Sequence, residues 1–188
     1  KDPGSQRIVL LGKGGIGKSM IACNFSVLFR QKNKRVLHVG CDPKHDSTAL
    51  LAPGRRMSSV AARLSAKGGL KLKDILVKGK FGVHCVEAGG PPPGLGCAGR
   101  GISIMLSLFE KLGVVAGYDA AIFDLPGDIV CGGFSGPLRR GLGEKVVIVV
   151  SDEWASLYAG NNIARMICNF WDAGIFLAGV IGNSRNHR

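Results

Sequence analysis

The chain is poor in acidic residues: 13 Asp and Glu stand against 25 Lys and Arg, a formal net charge of +12. That imbalance points to an acidic partner surface or to nucleic acid, with a solvated basic face as the plain alternative. No stretch approaches the roughly 18 uninterrupted apolar residues that a membrane-spanning helix needs. The opening residues Lys1 to Gln6 are polar and include Pro3 and Gly4, so they do not read as a signal peptide. No membrane association is expected, and a cytoplasmic location is. There is no internal repeat, no low-complexity linker and no C-x-x-C pair. The six cysteines are therefore read as packing, metal or redox residues rather than as a disulfide framework. With 188 residues, 46% of them hydrophobic and 20% charged, the chain suits one globular α/β domain spanning residues 1–188.

What is present is patterned. Arg7 to Leu11 is a short apolar strand that runs into Gly12-Lys13-Gly14-Gly15-Ile16-Gly17-Lys18-Ser19. Met20 to Gln31 follows with Ile21, Phe25, Leu28 and Phe29 at helical spacing. Arg35–Gly40, Ala120–Asp124, Lys145–Ser151 and Ile175–Gly182 read as further strands, and Leu157–Trp171 as a helix. Strands alternating with helices give right-handed crossovers and a mostly parallel sheet flanked by helices. Ligands of such a sheet sit at the carboxyl ends of its strands, which is where the polar clusters of this chain fall.

Gly12 to Ser19 satisfies G-x-x-x-x-G-K-[ST] with a strand before it and a helix after it. Gly12, Gly14, Gly15 and Gly17 let backbone N–H groups close around phosphate oxygens, and the helix amino terminus favours the anion. Lys18 pairs with the outer phosphates and the Ser19 hydroxyl with Mg²⁺ in this reading. Lys13 adds a second cation to the loop, the deviant Walker A pattern of the SIMIBI class; alone it would pass for a solvated loop lysine. The guanine-specific Asn-Lys-x-Asp signature is absent, which favours ATP. Asp42, Lys44 and Asp46 follow the second strand and suit water positioning and the surroundings of Mg²⁺. Asp124 closes a strand in the Walker B arrangement, and Asp128 follows it. Either Asp42 or Asp128 alone would read as a turn residue; their common place beside the phosphate loop argues for the nucleotide.

Cys97 and Cys131 are both set among glycines, where backbone can approach a cluster and donate N–H···S bonds. Cys23, Cys41, Cys85 and Cys168 sit in helical or strand-like segments and read as packing cysteines. A cubane cluster usually takes four thiolates. Two cysteines supply half of that, and a two-fold dimer would supply the rest. Two isolated cysteines are nevertheless more often simply packed.

The flanking residues change that balance. GKGGIGKS (Gly12–Ser19), GCDPKHDST (Gly40–Thr48), CVEAGGPPPGLGCAGRG (Cys85–Gly101), DLPGDIVCGGF (Asp124–Phe134), SLYAGNNIAR (Ser156–Arg165) and GNSRN (Gly182–Asn186) together resemble the nitrogenase iron protein family. That family includes the ATP-dependent reductases of nitrogenase-like enzymes, and the resemblance covers nearly the whole chain. It implies a homodimer holding one [4Fe–4S] cluster on Cys97 and Cys131 of both copies, with MgATP on the phosphate loop. Lys13 becomes the signature lysine that reaches the partner copy's nucleotide. Asp42, Lys44 and Asp46 form switch I, and Asp42 is a candidate for orienting the attacking water. Asp124 and Asp128 belong to switch II, which leads directly into Cys131. Arg100 lies on the docking face, with Arg139 and Arg140 nearby, and Asn183 falls where the family contacts the nucleotide base. The implied partners are a nitrogenase-like catalytic component as acceptor and a ferredoxin or flavodoxin as reductant.

Three features depart from the family. The chain is basic where typical members are acidic; Pro126 stiffens switch II and removes one N–H; and residues 1–188 lack the family's C-terminal region. A protochlorophyllide-reductase-type or other nitrogenase-like acceptor stays open beside nitrogenase. The alternative from another class is a partition or positioning ATPase that binds DNA non-specifically through basic patches. It gives no reason for two glycine-wrapped cysteines, so nucleic acid is not the expected partner.

Overall fold

A computed structural model describes residues 4–41, 46–54, 59–60, 71–89, 99–126 and 136–184. The elements run β1 (Gln6–Leu11), α1 (Lys18–Gln31), β2 (Val36–Gly40), β3 (Val77–Lys78), β4 (His84–Glu87), α2 (Gly99–Leu112), β5 (Ala120–Asp124), the single turn α3 (Gly136–Arg139), β6 (Lys145–Val150), α4 (Trp154–Cys168) and β7 (Phe176–Gly182). The seven strands form one sheet in the order β3-β4-β2-β5-β1-β6-β7. Every pairing is parallel except the short edge strand β3 against β4. The chain winds outward from β1 in both directions, so the loop after β1 opens where the strand order reverses. Nucleotide sites in open α/β sheets lie at that point.

Strand alternation builds two core layers. Val9, Leu11, Leu37, Val39, Phe123, Val146 and Ile148 face one side, where they meet Ile102, Met105, Leu106 and Phe109 of α2 and Ile163 and Ile167 of α4. Ile8, Leu10, Val36, Ala120, Ile122, Val147 and Val149 face the other side, against Ala22 and Cys23 of α1. Both faces of the central strands are covered, so their sequences are continuously apolar rather than alternating. Each large side chain fully buried here, Phe109 and Phe123 among them, contributes about 1.5–3 kcal/mol.

The helix α1 packs on the sheet through small residues, Ala22, Cys23 and Ser26. Ile21, Phe25 and Phe29 are only half-buried at its flank, and Leu28 is exposed, so the large apolar residues do not form its inner face. Cys23, Cys41 and Cys85 are buried as packing cysteines, whereas Cys168 is exposed. The packing reading of Cys168 is thereby corrected. Ile163 and Ile167 take the inner stripe of α4, and one residue beyond Ile167 the helix has rotated by about 100° toward solvent. No described helix is long and apolar enough to cross a membrane.

Candidate nucleotide site

The phosphate loop takes shape from its glycines. Gly12 has φ 147°, and a Cβ there would collide with the Val149 carbonyl of β6. Gly17 caps α1 in the left-handed region at φ 89°, with no side-chain cap. The first N–H groups of α1 are thus left to a ligand, with the helix dipole behind them. Lys18 opens α1 and is only 7% exposed, a place where a lysine is rarely kept unless it meets an opposite charge. Asn183 donates from Nδ2 to the Ile16 carbonyl at 2.6 Å, tying the loop to the end of β7. Lys13 Nζ lies 3.4 Å from Glu153 Oε2 at the start of α4, an ion pair with both side chains about half exposed.

Opposite the loop, strand register sets two carboxylates in one row. Leu10 lies beside Asp124, Asp124 beside Gly40, and Gly40 beside Glu87. Residues of one row in a parallel sheet point the same way, so Asp124 and Glu87 share a face with Gly40 between them. A Cβ on Gly40 would run into the Glu87 carboxylate; glycine leaves the space that Glu87 fills. The turn after residue 45 closes over both acids. Ser47 Oγ donates to Asp124 Oδ2 at 2.6 Å, and Thr48 N–H donates to Glu87 Oε1 at 2.9 Å. The second oxygens, Asp124 Oδ1 and Glu87 Oε2, are buried without a partner among the described residues. Burial pushes the Glu87 carboxyl up to about 7, opposed by the hydrogen bonds from Thr48 and aided by the charges of Asp124 and Asp46.

These residues fit a magnesium nucleotide. A buried acceptor without a partner costs about 1–3 kcal/mol, and Asp124 Oδ1 stands at the strand end next to the phosphate loop, where a hydrated Mg²⁺ would satisfy it. Ser19, in the first turn of α1, completes the expected hydroxyl ligand. Lys13, Lys18, Ser19, Asp124, Asn183 and the loop glycines are thus brought to one end of the sheet, with Asp46 on the turn above. Asp42, Lys44, Cys97, Asp128 and Cys131 lie outside the described residues, and of Arg100 only the helical backbone is described. Arg139 stands over the Phe170 ring at 5.7 Å, and Arg140 pairs with Glu110 at 2.6 Å.

Sequence reasoning overlooked Glu87, Ser47 and His38. A signal existed for the first: Glu87 ends an apolar strand as Asp124 ends its own. His38 is a polar residue inside an otherwise apolar run, and its partners become visible only in the fold.

Residues 6–188 match the family described as "4Fe-4S iron sulfur cluster binding proteins, NifH/frxC family". The chain belongs to this family. Among its NifH/frxC relatives, Nitrogenase iron protein 2 of Methanothermococcus thermolithotrophicus is 42% identical over 96% of this chain and 67% of its own length. Membership brings the family's cofactors, a [4Fe–4S] cluster and MgATP, and places the chain among ATP-hydrolysing reductases. Solved structures similar in fold include a septum site-determining protein MinD from Pyrococcus horikoshii, complexed with Mg-ADP, at TM-score 0.70 and 22% identity over 93% of this chain and 69% of that one. A ParA family ATPase from Chlorobium tepidum aligns at TM-score 0.69 and 18% identity over 95% of this chain and 74% of that one. The P-loop NTPase fold follows from these likenesses together with the mostly parallel sheet.

Proposed function

We propose that this chain is the electron-donating component of a nitrogenase or nitrogenase-like system, in which MgATP binding and hydrolysis gate single-electron transfer from a [4Fe–4S] cluster shared by two copies. The observation that carries the reading is Asp124. It is buried at the nucleotide end of β5 with one oxygen unpartnered among the described residues, and the sequence runs on from it through Asp128 to Cys131 within a few residues. Nucleotide state felt at Asp124 would reach the cluster ligand along that short covalent path.

In this reading Lys18, Ser19 and the loop N–H groups hold the phosphates and Mg²⁺, while Asp42 orients water and Asp46 and Lys44 complete the first switch. Cys97 and Cys131 from each copy bind the cluster, which supplies the transferable electron. Arg100, Arg139 and Arg140 flank the acceptor's docking face. Lys13 exchanges its pairing with Glu153 for the partner copy's nucleotide. Trp154, 75% exposed and stacked on Tyr158 at 5.1 Å beside that pair, supports a second copy docking across the phosphate loop. A nitrogenase-type acceptor is favoured by the 42% identity to a nitrogenase iron protein, with a ferredoxin or flavodoxin as reductant. The test is visible absorption and EPR of anaerobically purified protein with iron counted per dimer. About four irons and a dithionite-bleachable band, both lost in Cys97→Ala or Cys131→Ala, are expected. A colourless, iron-free protein would reject the reading.

A further inference from the structure

We propose that His38 is a positioning residue for the magnesium site, acting through Ser47 to fix which oxygen of Asp124 is left for the metal. The proposal rests on the nucleotide reading above and extends it to residues with no contact to the ligand.

The α1-facing side of the sheet is apolar at Ile8, Leu10, Val36, Ala120 and Ile122, and His38 interrupts it one layer below the strand-end acids Asp124 and Glu87, with no exposure at all. Both of its ring nitrogens are engaged: Nδ1 lies 2.9 Å from Ser26 Oγ of α1, and Nε2 lies 3.0 Å from Ser47 Oγ. Proton counting fixes the directions. A serine hydroxyl has one proton, and that of Ser47 goes to Asp124 Oδ2 at 2.6 Å. The contact at Nε2 therefore requires Nε2–H to be the donor, and Ser47 Oγ accepts it. In the neutral ring Nδ1 is then the acceptor, and it takes the Ser26 hydroxyl proton in preference to the Ala22 carbonyl at 3.2 Å. The chain Ser26–His38–Ser47–Asp124 is thus polarised toward the carboxylate, each bond strengthening the next.

The ring stays neutral at ordinary pH. Burial lowers His38 to about 4, against the opposing charge of Asp124 and a hydrogen bond from the ring to the Ser47 backbone, both of which raise it. A single tautomer results, with no second cation to compete for Asp124. The consequence for the carboxylate is specific: Oδ2 is taken by Ser47, and Oδ1 is the oxygen buried without a partner among the described residues. A second tie holds Ser47 from the same helix, since the Cys23 thiol donates to its backbone carbonyl at 3.2 Å. The helix that begins at Lys18 therefore holds Ser47 directly through Cys23 and, by way of His38 on β2, through Ser26, and Ser47 grips Asp124. A leucine at position 38 would fill the space yet leave the Ser47 hydroxyl without its incoming donor.

The experiment compares calorimetric binding of MgADP with binding of ADP in EDTA to the purified protein. His38→Leu is expected to weaken MgADP binding about tenfold, the scale seen for outer hydrogen-bond partners of metal ligands, with metal-free ADP binding unchanged. His38→Gln, whose amide nitrogen donates as Nε2–H does, should restore much of the loss. Equal weakening of both forms, or of neither, would overturn the proposal and leave His38 as a packing residue. Should His38→Leu fail to fold, Ser26→Ala serves: a smaller loss confined to MgADP is expected, and wild-type behaviour overturns the proposal. Ser47→Ala separates the levels. If it weakens MgADP while His38→Leu does not, only the role of His38 falls. If wild-type protein binds ADP identically with and without Mg²⁺, the magnesium site and this proposal fall while the nucleotide site stands; if it binds no ADP, the nucleotide reading falls too.

Discussion

The two ends of the sheet are built from opposite materials. At the carboxyl ends of the strands, Asp124 and Glu87 are buried, share one register row and are tied to a single turn through Ser47 and Thr48. At the amino ends, Arg30, Arg35, Lys78 and His84 surround a cavity of about 760 Å³ with Phe81 and Tyr118. There the charges are on the surface: Arg35 pairs with Asp119 at 3.0 Å, and Arg30 donates to the carbonyls of Phe81 and Lys34. The guanidinium of Arg35 holds the Asp119 carboxyl down at about 2. One end keeps anions in the interior with a strand register to hold them, and the other keeps cations in water. Part of the positive balance of this chain thus sits away from the nucleotide, where it does not compete with Lys18 for phosphate. Charge buried at the first end costs stability to keep; charge at the second is screened and cheap to change.

That contrast orders the expected effects of substitution. Lys18→Ala should reduce ATP hydrolysis by about 100-fold or more, measured as phosphate release, because it removes the buried cation that the proposed function sets against the transferred phosphate. Gly40→Ala should cost about 1–3 kcal/mol in chemical denaturation, as the new Cβ meets the Glu87 carboxylate. The double change Gly40→Ala with Glu87→Ala should recover part of that loss, a non-additivity expected of residues in contact.

Next comes pH. Glu87 carries a folded value of about 7 against 4.5 when free, so the native state binds the extra proton between those values. Its contribution is full below 4.5 and is lost as pH rises through 7, by at most about 1.4 kcal/mol per pH unit. His38, lowered to about 4 from 6.5, acts in the opposite sense: its contribution is full above 6.5 and is lost as pH falls toward 4. Glu87→Gln should therefore turn a flat stability profile between pH 4.5 and 6.5 into one that rises with pH, read by urea midpoints. The smallest effect belongs to the amino ends. Arg35→Ala should shift the melting temperature least of the series, less still at high salt, and should leave nucleotide binding unchanged. A large effect there would break the comparison.

Much of this architecture is legible along the chain because its cues are local. The Gly12–Ser19 loop and the strands ending at Gly40 and Asp124 announce themselves by apolar runs that stop at glycine or acid. Other features were hidden for physical reasons. α2 carries Ile102, Met105, Leu106 and Phe109 at helical spacing, yet it opens on Gly99 and Gly101, residues that argue against a helix start. Glu87 gains its place only through the register of β4 against β2 and the missing side chain of Gly40. The Ser26–His38–Ser47–Asp124 chain joins residues from a helix, two strands and a turn, and no sequence spacing encodes that meeting. The inner face of α1 was hidden for another reason: close packing on a sheet selects small residues, Ala22, Cys23 and Ser26, which carry a weak hydrophobic signal.

The hydrogen-bonded path from α1 to Asp124 also has a mechanical consequence. β5 pairs along β1, β1 runs into the phosphate loop, and the loop runs into α1. Together with Ser26, His38, Ser47 and Asp124 these elements form a closed ring, as in a braced frame. In a closed frame no bar shifts alone: tilting α1 loads β2 and β5 together, and a force at the end of β5 returns to the loop that holds the phosphates. A cut at the Ser47 hydroxyl would turn that frame into an open linkage, whereas a cut at His38 would leave it closed only through the weaker tie from Cys23 to Ser47.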